Sequence, residues 1–440
     1  MSKRKIMRNV IILSIVSFAI SVGFGMIFPL LPFLLLYFEG KLNYYPETLG
    51  KIPEASGIAF EFSFIASAFM LTRATFARYF GNLSDRIGRK KLVVAGSAGY
   101  ILTAILYILS RSWIHILLTR GLQGVFSAMT WPVAEAMIMD SVPPEERGRY
   151  MGWYMSMTNA GFFIGPALGG YVYKLVVDLF HPPLYVSLIT PFFFLAALSS
   201  ISLFLCLFAK ETITASRGMK SLKFSRRNNN PTIRLPEPIS RSIKVIYLMG
   251  LANGVAVGFI MAIVSIFVVQ YITSDPVALG MLSTVAGVLG WMANYPSGYL
   301  SDRIGRKKIV IAGQLGTRLA TFLIPFAKSL NDLLVIYTVR SVSFNMSSPV
   351  YRALQADLVP TRMRGKVFGT VQALFNLGAA ISPLGGYIYE TLSGIKIDFF
   401  GYILPGVAIL FWIGAFIGLF TTLLFALFVV EPKKASRGIA

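Results

Sequence analysis

The sequence predicts an all-α polytopic membrane protein, with twelve transmembrane helices in two pseudo-symmetric six-helix bundles. Three observations predict it. Of the 440 residues, 55% are hydrophobic and only 14% charged, against about 25% charged in an average soluble domain. The apolar residues gather into runs of about 20, the length that crosses roughly 30 Å of hydrocarbon as a helix. The ten-residue alternation of a membrane β-barrel is not seen. Finally, one charged phrase is written twice, as "GNLSDRIGRKK" at 81–91 and "GYLSDRIGRKK" at 298–308, 217 positions apart.

The chain begins "MSKRKIMRN", a basic segment before an apolar stretch from Val10 to Phe38. That stretch is far longer than the about 7–15-residue core of a signal peptide, so it is predicted to be a retained first membrane helix. Apolar segments run near 9–38, 56–80, 92–110, 113–139, 150–173 and 184–209, and again near 243–272, 277–300, 309–328, 331–356, 366–392 and 399–430. Between the two sets lies "KETITASRGMKSLKFSRRNNNPTIRLPEPISRSIK", polar and basic, with three prolines and an Asn triplet. It predicts a flexible linker. The domain boundaries are therefore an N-terminal six-helix bundle over 1–209, a cytoplasmic basic linker over 210–242 and a C-terminal six-helix bundle over 243–440.

The net charge of +22 would suggest nucleic acid in a soluble protein. Its placement argues otherwise. With twelve spans and the N-terminus inside, 30 of the 41 Lys and Arg fall in inside segments and six in outside loops (Lys41, Lys51, Arg111, Lys174, Lys328 and Lys396). Acidic residues divide almost evenly. The charge is a topology label under the positive-inside rule. It predicts cytoplasmic termini, a multi-pass protein of the plasma membrane, contact with lipids and no nucleic-acid partner. The single cysteine, Cys206, lies in an apolar run, and His115 and His181 are isolated. Neither a disulfide frame nor a metal centre is expected.

The 217 offset also maps Pro132 onto Pro349, Asp140 onto Asp357, Arg147-Gly148 onto Arg364-Gly365, Gly152 onto Gly369 and Gly161 onto Gly378. The halves are parallel copies related by an axis along the membrane normal, an arrangement that places a substrate path between halves.

The doubled phrase resembles the loop 2–3 signature of the major facilitator superfamily, with its second copy at loop 8–9, and the resemblance covers the whole chain. "RGLQGVFSA" from Arg120 resembles the superfamily's helix-4 arginine motif. "GWYMSMTNAGFFIGPALGG" carries Gly152, Gly161, Gly165-Pro166 and Gly169-Gly170 at the spacing of the helix-5 motif of drug:proton antiporters. The helix-1 phrase "GFGMIFPLLP" is also similar to twelve-helix antiporters of that type. The second half has a degraded copy of the helix-5 motif, with Gly369, Gly378, Ser382-Pro383 and Gly385-Gly386. Glycines at these spacings also let membrane helices pack closely, whatever the function.

The resemblance implies roles residue by residue. Asp85, Arg86 and Arg89 would join Asp140 in a charge relay at the inner gate, with Asp302, Arg303, Arg306 and Asp357 as the second-half counterpart. Gly81 and Gly298 are expected at helix ends, where a missing side chain permits a neighbouring helix to approach. Asp85 is expected in the connection, near the positive end of helix 3. Arg120 would tune a proton site from a cavity; the other reading is a structural arginine on backbone carbonyls.

Ionisable residues inside spans are functional candidates by default. Glu135 maps by the 217 offset onto Arg352, which suggests an inner-gate pair. If Glu135 instead lines a cavity, it is the best proton carrier, because burial raises a carboxyl's pKa. Helix 1 holds no acid between Arg8 and Glu39, unlike some drug:proton antiporters. Glu61 reads as a second titratable site, an outer-gate residue or a snorkelling carboxylate. Arg73 is assigned to the motif network, Arg318 to snorkelling or lipid contact, and Arg340 to a mirror of Arg120. Substrate-cavity candidates are Gln123, Trp131, Tyr154, Asn159, Asn253, Asn294, Arg340, Asn345, Gln372 and Asn376, with Met155, Met157 and phenylalanines as adaptable apolar surface.

The function expected is a secondary active transporter: a proton-coupled antiporter exporting small apolar or amphiphilic compounds by alternating access. More embedded arginines than acids favour neutral amphiphiles or organic anions over cations. The alternatives are a symporter or uniporter importing a sugar or organic acid, suggested by the Pro…Glu…Arg-Gly pattern of the helix 4–5 connection, and a non-transporting membrane sensor. No nucleophile elbow, metal-ligand cluster or phosphate loop of the form GxxxxGK[ST] is present. No enzyme and no cofactor are expected, the proton gradient being the energy source and the working form a monomer.

Overall fold

A computed structural model describes residues 3–143, 146–212 and 236–431. Of the predicted linker, residues 213–235 lie outside the described residues, as do Pro144 and Glu145 of the helix 4–5 connection.

The described chain is helical almost throughout. The first half contains α1 (Lys3–Ile27), α2 (Leu31–Phe38), α3 (Ala59–Ile87), α4 (Arg89–Ile108), α5 (Trp113–Ser141), α6 (Arg147–Phe180) and α7 (Leu184–Leu207). The second contains α8 (Glu237–Phe267), α9 (Pro276–Met292), α10 (Asn294–Ile304), α11 (Arg306–Leu323), α12 (Leu330–Leu358), α13 (Thr361–Ala379), α14 (Ser382–Leu392) and α15 (Ala408–Phe428). Ten helical stretches among the described residues are long and apolar enough to cross a membrane. The other two of the twelve spans are α5 and α12, of 29 residues each. They hold Arg120, Glu135, Arg340 and Arg352, the charges that lower their hydropathy.

Three spans are broken where proline removes a backbone donor. The first breaks between α1 and α2, which has Pro32 in its first turn. The eighth breaks between α9 and α10 beside Pro296, and the eleventh between α13 and α14, whose first turn holds Pro383. The twelfth span starts later than the hydropathy predicts. Residues 396–405 form a hairpin, β1 (Lys396–Phe399) against β2 (Tyr402–Pro405), antiparallel with Lys396 opposite Pro405. Its turn is set by Phe400 and Gly401, both at positive φ, and by Asp398, whose carboxylate accepts from the Gly401 N–H at 2.8 Å. Phe399, Tyr402, Ile403 and Leu404 are apolar enough to read as span; the Asp-Phe-Phe-Gly turn converts them to strand.

The chain divides into two compact units. The first comprises Met1–Pro231 and Ser265–Thr284. In it α1 packs on α6 and α7, α4 on α5 and α7, and α3 on α5. Leu13, Ile20, Tyr100, Trp131, Met137 and Tyr154 lie at its core. The stretch 265–284, which holds the end of α8, a π-helical turn at Val268–Ile272 and the start of α9, packs inside this unit. The N–H of Ile52 donates to the Val269 carbonyl at 3.0 Å, and that of Ala167 to the Thr284 hydroxyl at 3.0 Å. The second unit comprises Thr232–Val264 and Val285–Ala440. Here α11 packs on α12 and α15, and α10 on α12. Ile246, Met249, Val310, Leu354 and Phe425 form its core.

Candidate functional site

The doubled phrase folds into the same device in each unit. In the first, the Arg89 guanidinium at the start of α4 lies 2.8 Å from Asp140 on α5 and 3.3 Å from Asp85 on α3. In the second, Arg306 contacts Asp357 on α12 and lies 3.9 Å from Asp302 on α10. Each arginine thus ties together the ends of three helices. Arg86 is exposed, and Arg303 sits over the Tyr299 ring at 4.5 Å and outside the cluster.

Two expectations about the phrase are corrected. Gly81 and Gly298 do not end their helices, because α3 runs on to Ile87 and α10 to Ile304. A Cβ on either would meet nothing within 4 Å, so neither permits a close approach. The glycine the turn requires is the later one. Gly88 and Gly305 have φ of 103° and 101°, a region costly for any residue with a Cβ. Asp85 likewise lies in the last turn of α3, short of the connection.

The carboxylate at the start of α4 is Glu211, which the sequence reading passed over. It accepts from the N–H groups of Arg89 at 3.1 Å and Lys90 at 3.0 Å. Two orphan donors at a helix N-terminus are satisfied and the dipole is complemented. Glu431 accepts from the Arg306 N–H in the second unit. A signal was present: Glu431 follows directly on the last apolar run of its half, and Glu211 follows one residue later, after Lys210. A further matched pair is Arg147, whose Nε donates to the Met139 carbonyl at 3.1 Å, and Arg364, whose Nε donates to the Ala356 carbonyl at 3.0 Å.

The helix-5 motif forms a packing seam. A Cβ at Gly161 would lie 2.6 Å from the Phe18 carbonyl, and one at Gly165 2.6 Å from the Val22 carbonyl. At Gly169 it would strike the Met26 carbonyl. Three glycines one turn apart seat α6 directly on the α1 backbone, with Pro166 beside Gly25. Gly170 faces the other way, 2.7 Å from the Pro276 carbonyl, and Gly152 is open. In the second unit Gly378 and Gly385 abut α8, at Leu251 and Phe259.

Arg120 is 5% exposed. It donates to the Gln123 side-chain oxygen at 2.7 Å, which also accepts from the Tyr107 hydroxyl at 3.1 Å. Its guanidinium lies over the rings of Phe24, Tyr107 and Phe69, at 5.0, 5.8 and 6.0 Å. An aromatic box, with no ion pair among the described residues, holds the charge through cation–π attraction. The partners are side chains; the structural reading by sequence had backbone carbonyls. Glu135 is half-buried beside Tyr154, whose phenol also feels Arg73. Arg352 is exposed on α12. Glu61 is half-buried at the start of α3, with Oε2 buried and unbonded among the described residues.

In the second unit Arg318 departs from its predicted place. It does not snorkel: it is 6% exposed, and Nη2 donates to Gln314 at 3.0 Å and to Asn253. The side chain turns inward over Gly418 of α15, where any Cβ would collide with it. That absent Cβ is the physical reason for the difference. Arg340 is half-buried, its Nε donating to the Thr321 hydroxyl at 3.2 Å. Among the other cavity candidates, Trp131 and Tyr154 lie in the core of the first unit, Trp131 donating to the Tyr100 hydroxyl at 2.9 Å. Asn345 donates to the Ser341 carbonyl at 2.9 Å, and Gln372 to Asn376 at 3.1 Å. Asn159 and Asn294 are half-buried.

Comparison with known proteins agrees with this geometry. The family model described as Major Facilitator Superfamily matches residues 13–238 and 246–440. The chain is 25% identical over 383 residues to the class E tetracycline resistance protein of Escherichia coli, covering 86% of each. It is 26% identical over 403 residues to the multidrug resistance protein MdtG of Proteus mirabilis, covering 87% of this chain and 89% of that protein. It is 23% identical over 390 residues to an uncharacterised MFS-type transporter of Methanocaldococcus jannaschii, covering 88% and 93%. The crystal structure of the human organic anion transporter MFSD10 (TETRAN) superposes with a TM-score of 0.62 at 18% identity, covering 96% of this chain and 99% of that one, a likeness of fold. With two matched charge clusters at the repeated phrase and a family match over nearly its whole length, the chain belongs to the major facilitator superfamily of membrane transporters.

Proposed function

We propose that this transporter is a proton-coupled antiporter that exports small apolar or amphiphilic compounds by alternating access. It works as a monomer in the plasma membrane, with both termini cytoplasmic, no cofactor, and the proton gradient as its energy source. The observation that carries the alternating-access reading is the doubled cluster, Arg89 with Asp85 and Asp140, and Arg306 with Asp302 and Asp357. Each is a discrete, breakable set of contacts at the end of three helices, the kind of element whose making and breaking biases a two-state protein. Gln123, Asn159, Asn253, Asn345 and Arg340 are the substrate contacts in this reading. Glu135 carries the proton, with Glu61 as a second titratable site and Arg120 as the fixed charge that tunes it.

Export is supported by the helix-5 glycine spacing and by relatives named for tetracycline and multidrug resistance. The test is accumulation of tetracycline and of ethidium in a bacterial host stripped of its own efflux pumps. Expression of the chain should lower accumulation of at least one of them several-fold, and Arg89→Ala should restore it. Accumulation equal to that of the empty host for both compounds, or raised above it, would remove the export reading.

A further inference from the structure

The second unit holds two embedded arginines that no carboxylate neutralises among the described residues. Arg318 on α11 and Arg340 on α12 lie close enough for their guanidiniums to repel, and both turn to the same face of α11, where Thr321 follows Arg318 by one turn. Neither makes an ion pair among the described residues. Their hydrogen bonding is also incomplete. Among the described residues Arg318 bonds only through Nη2, to Asn253 and Gln314, while its Nε is buried with no partner there. Among those residues Arg340 bonds only through Nε, to Thr321.

Two like charges in a low-dielectric interior are costly, and so are buried guanidinium donors left unbonded. A structural clamp for α8 and α11 would account for Nη2 of Arg318, since Asn253 and Gln314 satisfy it. It would not account for the second arginine beside it. A single oxyanion removes both costs at once. A carboxylate or sulfonate accepts from a planar guanidinium fork in two parallel bonds and offsets both charges. The gradation in burial suits an entry path, with Arg340 half-buried and Arg318 deeply buried.

We propose that Arg340 and Arg318 form an oxyanion subsite in the second bundle, which selects amphiphiles bearing one carboxylate or sulfonate on an apolar body. The proposal rests on the transporter reading above and narrows it, from apolar and amphiphilic compounds to anionic ones. Arg340 receives the anion first, and Arg318 supplies the fixed field behind it. Asn253 and Gln314 hold the Arg318 guanidinium in place, and the Tyr337 ring, 5.4 Å from the Arg340 guanidinium, keeps Arg340 over the site.

The experiment is equilibrium binding of a naphthyl series to the purified full chain in nanodiscs. The series is 1-naphthylacetate, 1-naphthalenesulfonate, the neutral 1-naphthylmethanol and the cationic 1-naphthylmethylamine, so only the head group varies. At least one anion should bind about ten-fold more tightly than the neutral and cationic members, a difference typical of one charge-assisted contact pair. Arg340→Gln should bring that ratio to within about two-fold, by weakening the anions more than the neutral compound, and Arg340→Lys should keep most of it. Arg318→Gln should also reduce the ratio; if it fails to fold, the Arg340 pair decides alone. Equal binding of anion and neutral compound, no anion binding, or a ratio unchanged in Arg340→Gln would overturn the proposal. No gradient or direction enters the measurement. A preference that survives while proton coupling fails would sink the antiport reading alone, and the reverse outcome would sink only the subsite.

Discussion

Arg89 lies 2.8 Å from Asp140, joining the first turn of α4 to the last turn of α5, while its other arm reaches Asp85 at 3.3 Å. The Arg89 side chain is 13% exposed and that of Asp140 36%, so the pair is partly shielded from water and worth more than a surface ion pair. Removing either partner should cost about 1–2 kcal/mol, which is a factor of about 5–30 in the population of the state the cluster holds. A double-mutant cycle on Arg89→Ala and Asp140→Ala, read by thermal unfolding in detergent, should return a coupling energy of that size. Additive single effects would mean that the contact holds nothing.

Glu211 closes the first turn of α4 from the far side of the same cluster. Its loss strips a carboxylate from a helix N-terminus, where such groups contribute about 1 kcal/mol. Glu211→Ala should lower the melting temperature, and Glu211→Gln, which keeps an acceptor but loses the charge, should fall between it and the parent. Glu431→Ala should act in the same direction through α11.

The glycines of α6 divide sharply. Gly169→Ala and Gly161→Ala place a methyl against the carbonyls of Met26 and Phe18 and should destabilise by about 1–3 kcal/mol, the usual cost of overpacking. Gly152→Ala meets open space within the same helix. There a change within about 1 kcal/mol is expected, with stabilisation the favoured sign. Folded yield by fluorescence-detected size-exclusion chromatography separates these outcomes. Equal losses at Gly152 and Gly169 would show that the seam is not what the motif supplies.

At the start of α12, Asp332 closes a capping box with Ser329. The backbone N–H of Lys328, followed by the side chain and backbone of Ser329, holds its carboxyl below the usual aspartate range. A depressed folded-state pKa contributes stability above the unfolded value, near about 3.9, and that contribution is lost as pH falls through the folded value. The parent should therefore melt above Asp332→Asn at pH 7, and the gap should close on acidification below about pH 4. A gap independent of pH would mean that the carboxylate charge is not what the cap uses.

Much of the fold could be read from the sequence because lipid imposes simple rules. Span length follows from the thickness of a bilayer and the Lys and Arg count from its sidedness, while the 217-residue repeat reflects two parallel copies of one unit. The cluster of Arg89 and Asp140 was legible through the family resemblance that the doubled phrase carries. What escaped were features set by three-dimensional meetings of distant segments. Glu211 caps a helix that starts 122 residues earlier; its place just past an apolar run marks the end of a span but not the helix it meets. Arg318 looked lipid-facing because the family resemblance puts helix 9 at the periphery; only the bare backbone of Gly418 reveals the room for an inward guanidinium. Gly81 looked structural because it heads a repeated phrase, yet the residue with the demanding backbone is Gly88, where the helix stops. The hairpin at 396–405 was hidden by aromatic residues that serve strand and membrane span equally well.

Exchange of a proton for a substrate shows itself when both fluxes are recorded together. Purified protein is sealed into liposomes loaded with a pH-reporting dye, and an outward tetracycline gradient is imposed with no initial pH difference. The antiporter should acidify the lumen as the compound leaves and, under an imposed pH gradient, should drive the compound uphill against the proton flow; Glu135→Gln should abolish both. Proton and compound moving in the same direction, or unchanged coupling in Glu135→Gln, would contradict it.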